Sequence, residues 1–227
     1  MKEPGNVAAG LRRFPMVVGV VFALGWPLVL ALFFPKGDLG NIGQDTAVVI
    51  VEWVSVAILF VIASRWEHVA FFASVGLAAP KRRDWYIVAF FALLAIGATV
   101  FFAVTHPAMQ AKSSILGQAI AVPFALRALM VFTAGVCEEI CFRGFAIERL
   151  NALTGNTWVA AVVGTVLFTL GHVPRYGWSA GLGGVFLIGA ALSLLYIWRR
   201  NLAPCIALHW LVDGFSLLIV PAFVTLK

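Results

Sequence analysis

Apolar residues in this chain come in long runs rather than at the alternating spacing of half-buried strands. Seven runs are long enough to cross a bilayer or nearly so: about 14–34, 47–64, 85–105, 119–142, 157–171, 178–198 and 203–225. Wound as a helix, roughly 20 apolar residues span the ~30 Å hydrocarbon layer and pair every backbone group internally. The fifth run is short, which predicts a helix that tilts or is sheltered by its neighbours. The breaks carry turn chemistry: PKGD at 35–38, PKRRD at 80–84, the polar stretch around Lys112, NALTGN at 151–156, HVPRYG at 172–177 and RRN at 199–201. No repeat or low-complexity tract interrupts them. The pattern predicts an all-α, polytopic transmembrane bundle of about seven membrane helices, one integral membrane domain over residues 1–227.

Composition agrees. Of 227 residues, 62% are hydrophobic and 11% charged, too little polar surface to cover a soluble fold. The formal charge of +6 does not imply nucleic acid, because the basic residues sit at the ends of apolar runs. With the N-terminus in the cytoplasm, eleven Lys and Arg fall inside (Lys2, Arg12, Arg13, Arg65, Lys81, Arg82, Arg83, Arg143, Arg149, Arg199, Arg200). Four fall outside (Lys36, Lys112, Arg175, Lys227), and Arg127 lies within the fourth run. The expected location is a prokaryotic plasma membrane, given the compact chain and short loops, with the N-terminus cytoplasmic and the site nearer that side. Arg12 and Arg13 precede a run longer than a signal-peptide core with no A-x-A-like site after it, so the first run reads as a retained helix. Trp66, Trp85, Trp158, Trp178 and Trp198 lie near run ends, as interfacial belts do. Cys137, Cys141 and Cys205 make no disulfide framework and read as small packing residues.

What does not fit a lipid-facing helix is CEEICFRG, residues 137–144. A charge near mid-membrane costs roughly 2.5–3.5 kcal/mol or more, so such residues face a cavity or a partner. Glu139 and Arg143 are i,i+4 neighbours in the favourable order and read as a structural pair. Glu138 is turned off that face and has no partner on its own helix, which leaves it free for chemistry as a general base. Phe168 and His172 share a face at the end of the fifth run, and His209 and Asp213 share one inside the seventh. Glu138, His172, His209 and Asp213 come from three helices, the way sites are assembled in bundles. All four are groups that activate water or bind metal. Glu52, early in the second helix, reads as an interfacial residue; Arg127 could pair with it, line a cleft or receive a substrate carboxylate. His68 and His106 read as loop or helix-end residues.

EExxxR, then FxxxH, then HxxxN or HxxxD on successive membrane helices resembles the CAAX protease and bacteriocin-processing family (CPBP, or Abi), whose eukaryotic members are the type II CAAX prenyl endopeptidases. Glu138 to Gly144, Phe168 to His172 and His209 to Asp213 carry the resemblance, over about 119–215. It implies an intramembrane endopeptidase that cuts a membrane-associated protein or peptide. Glu138 and His172 would activate water, His209 and residue 213 would stabilise the oxyanion, and Glu139, Arg143 and Phe168 would support the geometry. The prenyl-endopeptidase branch usually has Asn where this chain has Asp213, and an ionised carboxylate cannot donate to an oxyanion. Asp213 could be protonated, could orient and charge His209, or could join Glu138, His172 and His209 around a divalent metal such as zinc. HExxH is absent, and the favoured mechanism uses no metal or other cofactor. Two other classes stay open: a non-catalytic membrane scaffold or immunity protein of the same family, and an ion-coupled transporter, for which no inverted repeat is visible.

Overall fold

The computed structural model describes residues 4–33, 40–105 and 114–225. The turns expected at 35–38 and around Lys112 lie outside these residues, as do Lys2, Lys36, His106, Lys112 and Lys227. Among the described residues every regular element is a helix. Helix α1 is Pro4–Phe33, and α2 is Ile42–Val61, prolonged through the wider turn Ile62–Trp66. A single turn, α3 (Phe71–Ser74), precedes α4 (Arg82–Thr105) and α5 (Ser114–Ala121). Helix α6 runs without interruption over 124–154. Helix α7 is Thr157–Gly171, α8 the turn Val173–Tyr176, α9 Ala180–Arg199, and α10 covers 202–225.

Five helical stretches among the described residues are long and apolar enough to cross a membrane: Arg13–Phe33, Ile42–Trp66, Arg82–Phe102, Ala180–Arg199 and Leu202–Ala222. Thr157–Gly171 is apolar but shorter. Phe33, Leu93, Phe101, Val104 and Leu187 are largely exposed on their outer faces, which suits side chains that meet lipid. So do Trp66, Trp85, Trp158, Trp178 and Trp198, all more than half exposed near helix ends.

The fourth run differs from its expected bounds of 119–142. Pro123 cannot continue the preceding helix, so α5 stops at Ala121 and α6 starts afresh at Phe124. At its other end α6 passes through the expected turn at 151–156 as far as Thr154. Gly155 then closes it in the left-handed conformation (φ 71°), and Asn156 caps α7 by accepting from the amides of Trp158 and Val159. The expected turn at 172–177 holds the single helical turn α8.

Helix α6 forms the axis of the core. Every residue of Glu139–Ile147 is buried, and α1, α2, α7, α9 and α10 pack against it. This stretch winds with i→i+5 hydrogen bonds, a form found mostly as short bulges and frequently at functional sites. Close approaches hold the bundle together. A Cβ on Gly171 would stand 3.1 Å from the Cβ of Pro27, so α1 and α7 touch there.

Polar clamps tie the end of the bundle rich in basic residues. Arg149 on α6 donates to Glu67 (2.8 Å) and to the carbonyl of Ser74 (2.7 Å), and Arg199 on α9 donates to Asp84 on α4 (2.6 Å). The hydroxyl of Tyr196 bonds Glu148 (2.9 Å) and the carbonyl of Val75 (3.2 Å). Gly76 sits directly against that hydroxyl with φ +72°. Gly76→Ala should therefore lower the melting temperature by about 2–4 °C, roughly 1 kcal/mol in a chain of this size, with strained backbone and a displaced tyrosine both contributing. An unchanged melting curve would show that the turn absorbs a side chain.

Candidate active site

The site is built from Glu139 outward. Arg143 Nη1 donates to Glu139 Oε1 at 2.6 Å and its Nη2 to the carbonyl of Gly189 at 3.2 Å. Its guanidinium lies 4.3 Å from the centre of the Phe168 ring. Glu139 is 0% exposed and Arg143 1%. The expected i,i+4 pair therefore forms, as a buried ion pair with an aromatic lid.

Glu139 also does something the spacing did not reveal. His209 on α10 brings Nδ1 to 2.9 Å from the same oxygen, Glu139 Oε1. A carboxylate here only accepts, so Nδ1 donates. That fixes the ring and leaves Nε2 facing two other carboxylates: Asp213 Oδ2 at 3.4 Å and Glu138 Oε2 at 3.8 Å. Glu138, His209 and Asp213 thus converge.

His172 is held in the opposite sense. Its Nδ1 lies 2.8 Å from the carbonyl of Phe168. The carbonyl accepts, so Nδ1 carries the hydrogen and the Nε2 lone pair is left for another partner. Phe168 packs against the His172 ring at 4.6 Å and meets the His209 ring edge-on at 6.4 Å. One phenyl ring thereby spaces both imidazoles and covers Arg143.

Glu138 and His172 line one cleft of about 130 Å³, with Trp26, Glu52, Phe142 and Arg175 among its walls. One water needs ~10–15 Å³, so several fit. Glu138 Oε2 is buried with no hydrogen-bond partner among the described residues. His209 and Asp213 are not among the cleft's lining residues, but His209 Nε2 reaches to 3.8 Å from Glu138 Oε2 beside it. A larger cleft of about 370 Å³, lined by Phe91, Trp158, Leu194, Leu195, Ile197 and Trp198, has no ionisable side chain and offers only apolar contact.

Two expectations change. Arg127 does not pair with Glu52; it donates to the carbonyl of Leu217 at 3.0 Å and lies over the Phe124 ring at 5.9 Å. Glu52 is not interfacial: it is 5% exposed and lines the cleft. The cost of an acid within an apolar run was the signal that could have placed it there. The cleft is walled by the last turns of α1, the first turns of α2, the end of α7 and α8, the end of the bundle away from Arg149 and Arg199. Among the described residues no group of three or more His, Cys, Asp or Glu is arranged to hold a metal ion. Cys137 and Cys141 are buried free thiols beside the glutamates.

Residues 119–215, the stretch holding all three motifs, match the family described as Type II CAAX prenyl endopeptidase Rce1-like. The membrane-embedded CAAX protease MroQ of Staphylococcus aureus (strain USA300) is 34% identical over 88 residues, which cover 34% of this chain and 32% of that protein. The match thus spans about a third of that relative's length. No solved structure matches.

Proposed function

We propose, from the premise that residues 119–215 are Rce1-like CAAX endopeptidase sequence, that this chain is an intramembrane endopeptidase hydrolysing a peptide bond in a membrane-associated protein or peptide. The observation that supports it best is that Glu138, whose Oε2 has no hydrogen-bond partner among the described residues, and His172, whose Nδ1 is held by the Phe168 carbonyl, line one cleft with room for several waters. Water bound there gives one proton to Glu138 as its oxygen attacks the scissile carbonyl, while its second hydrogen points to His172 Nε2. Negative charge then develops on the carbonyl oxygen. His209 is the donor to that oxygen. Its Nδ1 hydrogen is already committed to Glu139, so Nε2 donates only from the imidazolium, a charge that the flanking Glu139 and Asp213 carboxylates compensate. Asp213 in this reading orients and charges His209, which removes the need for an amide at position 213.

No step above uses a metal, and chelators test this. EDTA or 1,10-phenanthroline should leave the rate of the purified protein within about twofold of the untreated rate, since removing a metal that supplied the nucleophile would cost several kcal/mol of transition-state stabilisation. Loss restored by a divalent ion alone would overturn the metal-free mechanism.

With the N-terminus cytoplasmic, the cleft lies toward the outer face and a substrate reaches it from that half of the bilayer. The deciding experiment for the function is mass spectrometry of membrane-associated peptides from cells carrying the wild-type protein or Glu138→Gln. A peptide terminus present only with wild type identifies the substrate; identical peptidomes with an intact phenotype would favour the scaffold reading instead.

A further inference from the structure

Glu52 is a buried acid that the three motifs do not use. It is 5% exposed, its Oε2 has no hydrogen-bond partner among the described residues, and its carboxyl group enters no ion pair there. It stands on α2 and lines the same cleft as Glu138 and His172. The charges that act on it come from Glu138 on α6, His209 and Asp213 on α10, and Arg175 on α8. A buried carboxyl without a partner is a standing cost, and α2 could carry Leu or Met there without leaving an orphaned polar atom. Such a cost at a cleft wall points to chemistry.

We propose that Glu52 is the general acid of the reaction, the group that protonates the leaving amine; this rests on the hydrolytic reading above. Two carboxylates on one largely buried cleft repel, and one of them holds a proton. Glu138 has the His209 imidazole 3.8 Å away, whereas the Glu52 carboxyl enters no ion pair among the described residues, so the shared proton is assigned to Glu52. Attack forms the new C–O bond and moves one water proton to Glu138. Collapse of the tetrahedral intermediate breaks the C–N bond, and the electron pair that returns to nitrogen takes the proton from Glu52. The amine leaves neutral. The proton on Glu138 then passes to the Glu52 carboxylate through cleft water, and both groups regain their starting states.

A general acid matters in proportion to the basicity of its leaving group. The test uses a peptide spanning the mapped cleavage site and the same peptide with an ester at the scissile bond, whose alkoxide leaves with less help than an amide nitrogen. Glu52→Gln should lower kcat on the amide about 100-fold with KM little changed, and on the ester by no more than about threefold. Equal losses on both substrates, or no loss on either, would overturn the assignment. Glu138→Gln must instead depress both, because both need the activated water. If it spares both, the base reading fails, and that result is distinct from a failure of Glu52. Folding supplies a check that needs no substrate. Glu52→Leu removes an unpartnered acid and should raise the melting temperature by about 2–4 °C; a fall in both Glu52→Leu and Glu52→Gln would mark the residue as structural support and overturn its chemical role.

Discussion

Glutamine at position 138 should reduce peptide-bond hydrolysis by at least about 100-fold, and toward 10⁴-fold if proton removal limits the rate. This is the usual range for losing a positioned general base. The change is nearly isosteric. It removes the ability to take a proton and the charge that faces His209 Nε2 at 3.8 Å, while Glu138 Oε2 has no hydrogen bond to lose among the described residues. Stability should therefore stay within about 0.5 kcal/mol of wild type. Initial rates on the mapped peptide, beside a melting curve in the same detergent, check both halves. A variant that keeps half its activity would remove Glu138 from the chemistry. One that loses activity and also melts early would show that the glutamate supports the fold.

The opposite combination is expected at Arg143. Arg143→Met strands the Glu139 carboxylate, fully buried, with the His209 ring as the one partner left among the described residues. Removing one member of a buried ion pair costs about 3–5 kcal/mol, and the guanidinium also carries the contact with Phe168 and the bond to Gly189. The protein should melt well below wild type. Replacing both members, Glu139→Leu with Arg143→Met, should recover much of the stability because no unpaired charge remains. Activity should not return, since the oxygen that holds His209 Nδ1 is gone. Recovery of both would show that His209 needs no anchor. A single Arg143→Met change costing under about 1 kcal/mol would show that water relieves Glu139.

These expectations separate what the sequence could carry from what only packing supplies. Run length and the cost of charge in lipid were enough for an all-helical membrane bundle and for a local Glu139–Arg143 pair, since i,i+4 geometry depends on nothing beyond one helix. The bounds of α6 were not legible, because Arg143, Glu148, Arg149 and Asn151 break the apolar run while the helix continues to Thr154. Pro123 was the visible signal for its start, and its weight was missed. The second duty of Glu139 needed the register between α6 and α10, which no spacing within either helix encodes. Glu52 was misplaced for a related reason. Its position near the start of a run suggested the bilayer surface, whereas the bundle turns that face inward against α6. Phe168 was legible as a motif position, but its role as a spacer between two imidazoles was not.

Helix α1 gives the cleft Trp26, Pro27, Leu30 and Ala31, and α2 gives it Gln44, Asp45, Val48 and Glu52; none of these falls within residues 119–215. The motif-bearing stretch therefore holds only part of the cleft, and expressed alone it would expose Glu138 to acyl chains in place of solvent. Two proteins could share all three motifs and still cut different sequences, because the selectivity of such a chamber would be written into the half that the motifs ignore.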